Sequence, residues 1–543
     1  MRKILLSMAL ALLSGAAIAQ NEVEFTFNRT AGTVTAKVNG TVNENITATI
    51  AASGSFLTSN NAANDSILVI NNNTSAATEA APNKYTLTIS GLDANYAFNR
   101  VVVGGVAVNS EGVWQGTSVV RDRYFKIGYG ETSDNLTTTD AELTRICDNS
   151  HCNGNPTDNV FKVDGATANG NLVVEVQIYT DGGLGCFYGL TSITLQEVYV
   201  EPGKFYSVRL TPTMSTDDDR AGAVMSTNAS AGLYCLANYS GASNEIFTFE
   251  KSDGKMYMKS VHTNTYISTV GGPQTQVMIG AENIADAKSV TLGKLGTTTV
   301  DGEKIYLISI TPEGGAMLNC GGKPGNVVAY DNSNAARASS WYAVEVENFS
   351  HTLNVTAAQW STLVLGFNAA IPEADGFKAY TIEAVENGYV SLAEATGVLG
   401  ANTPIIVNAP EGSYEFAYTT AAATVSPATD VLKGTLYNSN IAPEGTAYVL
   451  ANGENGVGLY KAELNQASNT AFLNNANKAY LEVPAAEGVA CYSFRFGEGT
   501  TGIEEITDNR VQSTVIYDLT GRRVEAITAP GIYVVNGNKV LVK

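Results

Sequence analysis

The sequence has few of the residues from which most catalytic and metal sites are built. Its 543 residues include three histidines, six cysteines and three tryptophans, and charged residues make up only 15% of the chain. Six cysteines are too few for a disulfide-dense scaffold of this length. The three histidines, His151, His262 and His351, lie far apart in the sequence and have no obvious serine or aspartate partner.

Three common catalytic motifs are also missing. We find no G-x-S-x-G elbow, no H-E-x-x-H helix and no phosphate-binding loop in the sequence. The sequence therefore predicts no catalytic residues, no metal and no cofactor. A pair of carboxylates for glycosidic cleavage is not excluded, because such pairs meet in space rather than in sequence.

The charge balance and the hydrophobic runs exclude further classes of protein. The formal net charge of −20 argues against nucleic acids, whose binding needs a basic surface, and against anionic lipid head groups. It leaves neutral glycans and proteins as partners. Beyond the N-terminus, no run approaches the length of a transmembrane helix, so we expect no membrane-spanning segment.

The N-terminus indicates export. Arg2 and Lys3 precede an apolar run from Ile4 to Leu13, and Ala17-Ile18-Ala19 follows as a small-residue cleavage site. This is the pattern of a secretory signal peptide over residues 1–19. We expect cleavage near Ala19 and a mature chain that is secreted or held at the outer cell surface.

Residues 20–199 alternate apolar and polar residues, as strands do when one face is buried. The clearest runs are Val34-Thr35-Ala36-Lys37-Val38, Tyr85-Thr86-Leu87-Thr88-Ile89 and Leu172-Val173-Val174-Glu175-Val176-Gln177-Ile178. Turn residues separate the runs, which favours a β-sandwich, with one short helix expected at 138–146. The segment 181–193, DGGLGCFYGLTSI, resembles an N-terminal module found in bacterial surface proteins beside glycosidases, sialidases and esterases.

Two features of this sandwich are candidate functional residues. Trp114 lies in the glycine-flanked turn EGVWQG, where the indole is either an exposed ligand platform or packed on the sandwich edge. Cys147 and Cys152 would close a tight loop as a disulfide, or remain free thiols. A metal site with His151 is disfavoured, because no second ligand pair follows at zinc-site spacing.

After the boundary motif Glu201-Pro202-Gly203, residues 203–347 contain an internal repeat. Three units begin at Tyr206, Tyr257 and Tyr306, which are 51 and 49 residues apart, and each unit ends in an apolar strand. Three units that cannot each bury their own apolar face predict a central β-trefoil with pseudo-threefold packing. We therefore expect the three tyrosines at equivalent positions, in a segment that folds alone.

The third repeat unit resembles a ricin-type lectin trefoil through DNSNAARASSW, residues 331–341. The Gln-x-Trp that closes each unit in that family is here Ser339-Ser340-Trp341, and the other two units lack the tryptophan. The resemblance implies sugar binding, with candidate ligands Tyr330, Asp331, Asn332 and Asn334 in one loop. We expect Trp341 itself to belong to the core, and the matching loop of the first unit to offer Asn238, Tyr239 and Asn244.

Two more β modules complete the chain. Residues 348–498 contain the turns Asn387-Gly388 and Asn455-Gly456 between apolar runs, and phrases such as NKAYLEVP resemble a non-catalytic accessory module. Residues 501–543 contain YDLTGRRV, GIYVV and a terminal KVLVK. They resemble the C-terminal sorting domain read by the type IX secretion system of certain Gram-negative bacteria, which implies that this machinery is a partner; the alternative is an ordinary terminal hairpin.

The sequence as a whole predicts an all-β protein: an N-terminal β-sandwich, a central β-trefoil, a third β module and a short C-terminal β sorting domain. Its expected function is non-catalytic binding of glycans or glycoproteins outside the cell. One alternative is a structural or adhesion protein whose modules make protein–protein contacts. The other is a glycan-directed hydrolase within the N-terminal sandwich.

Overall fold

The chain divides into two compact units, Met1–Pro202 and Gly203–Lys543. The computed structural model describes residues 21–543, apart from 57–64, 71–76, 95, 108–121, 140–141, 146–156, 168, 180–187, 212–218, 301, 332–336, 466–469, 485–488, 497–502, 506–515, 519–522, 525–530, 536–537 and 543. Over the described residues the fold is all β, as the sequence predicts. Helical turns there are limited to three short 3-10 segments, Ser243–Glu245, Ile284–Asp286 and Arg337–Ser339. No described helix is long and apolar enough to cross a membrane.

The first unit consists of two antiparallel sheets. Its strands are β1 (Asn21–Asn28), β2 (Thr33–Val38), β3 (Thr41–Val42), β4 (Thr47–Ala52), β5 (Leu68–Val69), β6 (Asn83–Ser90), β7 (Ala97–Ala107), β8 (Asp122–Gly130), β9 (Thr137–Thr138), β10 (Glu142–Arg145), β11 (Thr157–Ala166), β12 (Leu172–Tyr179) and β13 (Tyr188–Glu197). One sheet has the order β11-β7-β13-β1-β2-β3, with β5 beside β13. The other has the order β10-β8-β12-β6-β4, with β9 beside β8.

The two sheets share one apolar core, as the alternating runs predict. On β6, Tyr85, Leu87 and Ile89 are buried, while the intervening threonines are half-buried or exposed. Strand β12 departs from simple alternation, because Val173 and Glu175 are also buried. It lies between β8 and β6, and the Glu175 carboxylate is balanced by the Lys84 ammonium at 3.0 Å.

The short helix expected at 138–146 is wrong. The described part of this segment includes β10, which pairs with β8, and Thr138, which ends β9 and pairs with Gly128 of the same strand. The open edge of a sheet offers hydrogen bonds to any extended segment, and here that pairing outweighs a weak local helical preference.

The second unit begins with a closed barrel. Its strands are β14 (Phe205–Leu210), β15 (Val224–Thr227), β16 (Leu233–Leu236), β17 (Ile246–Ser252), β18 (Lys255–Ser260), β19 (Thr265–Tyr266), β20 (Val290–Val300), β21 (Glu303–Pro312), β22 (Met317–Cys320), β23 (Gly325–Asp331) and β24 (Trp341–Glu345). Six of them pair in the order β17-β18-β20-β21-β24-β14, and β14 also pairs with β17, which closes the ring. Each third of this segment gives two barrel strands and one excursion between them.

The tyrosines that mark the repeat lie on β14, β18 and β21, the first barrel strand of each third. Tyr206 alternates in step with the buried residues of its strand, and so does Tyr306. Tyr257 instead lies between the buried Met256 and Met258, so its ring points to the opposite face. The three tyrosines therefore lie on the first barrel strand of each third, but they are not at equivalent positions, because Tyr257 is displaced by one residue.

The third module is a larger sheet with three small pairs beside it. Its strands are β25 (Ser350–Val355), β26 (Trp360–Leu363), β27 (Ala369–Ala370), β28 (Lys378–Glu386), β29 (Tyr389–Ala395), β30 (Val398–Leu399), β31 (Ile405–Asn408), β32 (Gly412–Ala417), β33 (Leu432–Thr435), β34 (Ser439–Ile441), β35 (Thr446–Gly453), β36 (Gly456–Lys461), β37 (Phe472–Asn474), β38 (Lys478–Val483) and β39 (Cys491–Phe496). The large sheet has the order β26-β31-β28-β29-β39-β36-β35-β38-β33. Asn387 and Gly388 both have positive φ in the β28–β29 turn, which is the hairpin that this dipeptide predicts.

The barrel and the third module share a hydrophobic core. Ile246 and Val261 of the barrel cluster with Phe349, Leu353 and other buried residues of the third module. A backbone hydrogen bond from Ser350 N to Gly241 O, 3.2 Å long, joins the two regions beside this core.

The C-terminal residues form a small sheet of their own. Its strands are β40 (Ile503–Glu505), β41 (Ile516–Asp518), β42 (Arg523–Val524), β43 (Gly531–Val535) and β44 (Asn538–Val542), in the order β40-β44-β43-β41-β42. Strands β43 and β44 are antiparallel, and their register pairs Val535 with Asn538.

Candidate ligand-binding site

The candidate sugar-binding loop begins at a β-bulge in β23. Met317 of β22 pairs with Asp331, but the next residue, Leu318, pairs with Ala329. Tyr330 is therefore an extra residue with no partner in the register. A bulge re-aims a side chain and bends the strand, and the Tyr330 side chain is 55% exposed.

The strand that carries Tyr330 is otherwise well anchored. Val327, Val328 and Ala329 are all buried, and Val277 N donates a hydrogen bond of 2.9 Å to Val327 O from the second excursion. An exposed ring on a fixed base loses little conformational freedom when a ligand stacks on it, and stacking on the C–H face of a sugar needs such a ring.

The other predicted ligands of this loop are only partly described. Asp331 ends β23, where the structure describes its backbone alone, and Asn332 and Asn334 lie outside the described residues. Trp114, Cys147 and Cys152 also lie outside them. Among the candidate residues, Tyr330 is thus the one whose side chain the structure places.

Trp341 belongs to the barrel core, as predicted. Its side chain is fully buried, and Nε1 donates a hydrogen bond of 2.8 Å to Leu318 O. A buried indole with its one donor satisfied has no face left for a ligand. Tyr330 is therefore exposed and Trp341 is buried, although the two residues are close in sequence.

The matching loop of the first third is less open. The Arg209 guanidinium lies over the Tyr239 ring at 4.3 Å from the centroid, and burial raises the pKa of Tyr239. The buried Glu245 carboxylate accepts hydrogen bonds from the backbone N–H groups of Ser240 and Gly241. These contacts hold the loop in place, and they occupy one face of the ring that would stack on a sugar.

One groove was missed by the sequence analysis. It lies in the third module, has a volume of about 690 Å³, and is lined by Ile382, Asn402, Thr403, Pro404, Pro427, Ala428, Thr429, Asp430, Leu432, Lys433 and Gly434. The Thr429 hydroxyl donates to Ile382 O at 3.1 Å, which fixes one wall. The remaining amide, hydroxyl, carboxylate and ammonium groups suit a polar ligand. The only sequence signal is the density of proline, glycine and asparagine in these loops.

The sequence analysis also missed the partners of His262. Its Nδ1 lies 3.0 Å from Ser243 Oγ, and its ring stacks on that of His351 at 5.7 Å between centroids. Burial, with the neighbouring His351, lowers the pKa of His262 to about 3, and burial, with Lys478, lowers that of His351 to about 4. Both rings are therefore neutral at pH 7. Because Ser243 is 1% exposed, this contact is part of the packing and not a nucleophile open to substrate.

In the described part of the chain, no group of three or more His, Cys, Asp or Glu residues is arranged to hold a metal ion.

Comparisons with known proteins add little. No protein-family model matches the chain, and none of the curated protein sequences matches it. Among solved structures, the chain is similar to a GlcNAcα1-4Gal-releasing endo-β-galactosidase from Clostridium perfringens, with 12% identity over 52% of this chain and 87% of that chain. The TM-score is 0.20, and a likeness at that level supports no conclusion about fold or function here.

Proposed function

We propose that this protein is a non-catalytic binder of glycans or glycoproteins that acts outside the cell. The observation that carries the proposal is Tyr330, an aromatic ring that a β-bulge directs into solvent at the head of a loop rich in asparagine and aspartate. Aromatic stacking combined with amide and carboxylate hydrogen bonds is the usual chemistry of sugar recognition.

The barrel is proposed to be a β-trefoil of the ricin-lectin kind. The six-strand closure and the three excursions between barrel strands support this assignment. In this proposal the loop after β23 is the occupied subsite, because the corresponding tyrosine of the first third lies under Arg209. Asp331 would accept hydrogen bonds from sugar hydroxyls and so discriminate among their orientations.

The binding test uses the mature chain from residue 20 on a glycan array, followed by titration of the best ligand. Tyr330→Ala and Asp331→Ala should each weaken binding about tenfold or more, which corresponds to about 1–3 kcal/mol. Tyr389→Ala is the matched control, since Tyr389 is also an exposed tyrosine, at 40%, but lies in the third module. Binding that all three variants retain would remove Tyr330 from the site.

The second candidate is an adhesion protein that makes protein–protein contacts. The polar groove of the third module favours it, because a groove of this kind can accept an extended peptide as readily as a sugar. If no glycan binds the mature chain at millimolar concentration, this function takes precedence. Asp430→Ala and Lys433→Ala should then weaken protein binding while Tyr330→Ala does not.

Export through the type IX secretion machinery is proposed for the C-terminal residues 501–543. The support is the sorting-domain resemblance of YDLTGRRV, GIYVV and KVLVK. Deletion of residues 501–543 should leave the protein in the periplasm, whereas wild-type chain reaches the surface or the medium. Equal surface and medium levels for both forms would count against this route.

A further inference from the structure

The large sheet of the third module ends at strand β33, Leu432–Thr435. Among the strands that the structure describes, β33 pairs with β38 alone, so its other side is an open edge. The strand is anchored, because Leu432 is 7% exposed and belongs to the same hydrophobic cluster as Ile382. An open sheet edge offers a row of backbone donors and acceptors to any extended segment that reaches it.

The register shows which backbone groups face the open side. Glu482 N donates a hydrogen bond of 2.8 Å to Val431 O, so Val431 bonds to β38. Backbone groups point alternately to the two sides of an antiparallel strand. The N–H and C=O groups of Leu432 and Gly434 therefore point away from β38, whereas those of Lys433 point towards it. Within the described residues, no hydrogen bond to these four outward groups is present.

The outward groups lie in the groove of the third module. Leu432, Lys433 and Gly434 line this groove together with the loops 402–404 and 427–430. The strand contributes four residues, which span roughly 13 Å at about 3.3 Å per residue. The groove therefore presents an edge long enough for a short extended segment to pair with it.

The charges of the groove favour a basic occupant. The Lys433 ammonium lies 3.6 Å from the Glu482 carboxylate, so its charge is already balanced. Asp430 is exposed, and no ion pair of its carboxylate is present in the part of the third module that the structure describes. The Thr429 hydroxyl donates to Ile382 O at 3.1 Å, which fixes the chain beside Asp430. An occupant with a lysine or an arginine would complement this carboxylate.

We propose that β33 is a strand-addition site for an extended, basic polypeptide segment. The segment pairs with the backbone of Leu432 and Gly434, and its lysine or arginine lies beside Asp430. In this binding mode the main-chain hydrogen bonds give affinity and the side chains give specificity. The inference rests on the second candidate function and deepens it, because it states how the groove recognises a protein partner. It does not depend on glycan binding at Tyr330.

A single extended segment fits this edge better than the same edge of a second copy does. In the register that uses both outward residues of each strand, Leu432 of one copy pairs with Gly434 of the other. Lys433 then lies opposite Lys433, and like charges directly opposite each other destabilise a sheet. Lysine on an edge strand is a common protection against such pairing, and it does not hinder a segment that has no charge at that position.

The test titrates the mature full chain with a synthetic peptide. The peptide is short, acetylated and amidated, and alternates threonine and valine around one central lysine. Hydrogen exchange is followed at residue resolution with and without it. Binding should slow amide exchange at Leu432 and Gly434. Exchange at Lys433 should not change, because its amide already faces β38.

Two N-methylated forms of the peptide separate strand addition from other kinds of binding. One form is methylated on the odd-numbered amides and the other on the even-numbered amides. Because alternate amides of an added strand face the edge, one form should bind about tenfold or more weakly and the other should bind like the unmodified peptide. Equal affinities of the two forms would overturn strand addition, and so would unchanged exchange at Leu432 and Gly434. Both results would leave the groove as a peptide site and the second candidate function intact.

A variant tests the charge of the groove. Asp430→Asn should weaken binding of the peptide about two- to fivefold and remove its advantage over a peptide with glutamate in place of lysine. Asp375→Asn is the matched control, because Asp375 is also exposed in the third module but does not line the groove. If neither peptide binds at millimolar concentration, the inference is wrong. The second candidate function fails separately, if Asp430→Ala and Lys433→Ala leave the binding of a protein partner unchanged.

Discussion

The N-terminal sandwich and the region that follows it bury their apolar side chains differently. The sandwich core is assembled from both of its sheets and draws its buried members from Val23 to Leu195. In the second unit, one core takes residues from the barrel and from the third module together. The core of the sandwich therefore comes from the first unit alone, whereas one of the cores in the second unit contains residues of both the barrel and the third module.

Aromatic rings of both regions meet at the shared core, where the partly buried Phe205 and Tyr418 pack against the buried Phe349. Phe205 of the barrel contacts Phe349 and Tyr418, with ring centroids 5.2 and 4.9 Å apart. Phe349 and Tyr418 stack on each other at 4.6 Å. A fragment that ends at residue 347 would expose Phe205, so the prediction that residues 203–347 fold alone now carries a definite cost in exposed apolar area.

The largest effect is expected from Phe349→Ala. The side chain is 4% exposed, and truncation of a buried phenylalanine costs about 3–5 kcal/mol. Because the core is shared, the barrel and the third module should lose stability together in one unfolding transition. Calorimetry and hydrogen exchange can follow both regions.

The matched control for this variant is Phe98→Ala in the sandwich, where Phe98 is fully buried. It should lower the unfolding midpoint of the first unit and leave the second unit unchanged. A Phe349→Ala protein whose barrel retains wild-type protection while the third module melts would contradict the shared core.

The second effect is a loss of stability in acid, which should be larger in the second unit than in the first. The folded-state pKa values of His262 and His351 are about 3 and 4, below the ordinary value of 6.5. As the pH falls from about 6.5 towards 3, both histidines bind protons in the unfolded chain but remain neutral in the folded chain. The free energy of unfolding therefore decreases. The slope is about 1.4 kcal/mol per pH unit for each histidine, or roughly 2–4 kcal/mol in total by pH 5.

The measurement is the unfolding midpoint of each unit between pH 7.5 and pH 4. Of the three histidines, the first unit contains only His151, so its midpoint should depend less on pH over this window. Replacement of both His262 and His351 by Asn should flatten the acid limb of the second unit. An unchanged limb in the double variant would assign the acid sensitivity to carboxylates instead.

Local sequence patterns correctly predicted which face of a strand is buried, and the reason is geometric. Side chains alternate along a strand, so Tyr85, Leu87 and Ile89 could be assigned to the core from sequence alone. The pattern failed for Glu175, because burial on both faces depends on what covers the strand and on the distant Lys84. The bulge at Tyr330 likewise depends on a register with β22 that no local residue encodes.

The shared core could not be predicted from the sequence, for a related reason. Boundaries between modules were inferred from turn residues and repeats, which report local chain geometry. Contacts such as that of Phe205 with Tyr418 join residues far apart in sequence. The sequence of neither segment indicates which distant residue it will contact. The Ser243–His262 contact was missed in the same way.

Gly366→Ala tests the fit between the two regions at one point. A Cβ at Gly366 would lie 2.5 Å from Val261 O and 2.8 Å from His262 O, and both atoms are backbone of the barrel. Such overpacking typically costs about 1–3 kcal/mol, and it should lower the midpoint of the second unit. Gly272→Ala is the control, because no heavy atom lies within 4 Å of its Cβ position. Equal effects from both variants would mean that the barrel and the third module can move apart to accommodate the added methyl group.

The smallest effect on stability should come from Tyr330→Ala, which lies in the barrel but outside the shared core. Its ring is more than half exposed and is an extra residue in the strand register, so its removal should change the free energy of unfolding by no more than about 0.5 kcal/mol. Trp341→Ala, in the same barrel, removes a fully buried indole together with its hydrogen bond to Leu318 O and should cost about 3–5 kcal/mol. Urea titration of the two variants measures both values. A large loss of stability for Tyr330→Ala would mean that the residues after β23 cover the ring and that the ring stabilises the barrel rather than binding a ligand. A small loss combined with weaker glycan binding would show that Tyr330 contributes to recognition and not to packing.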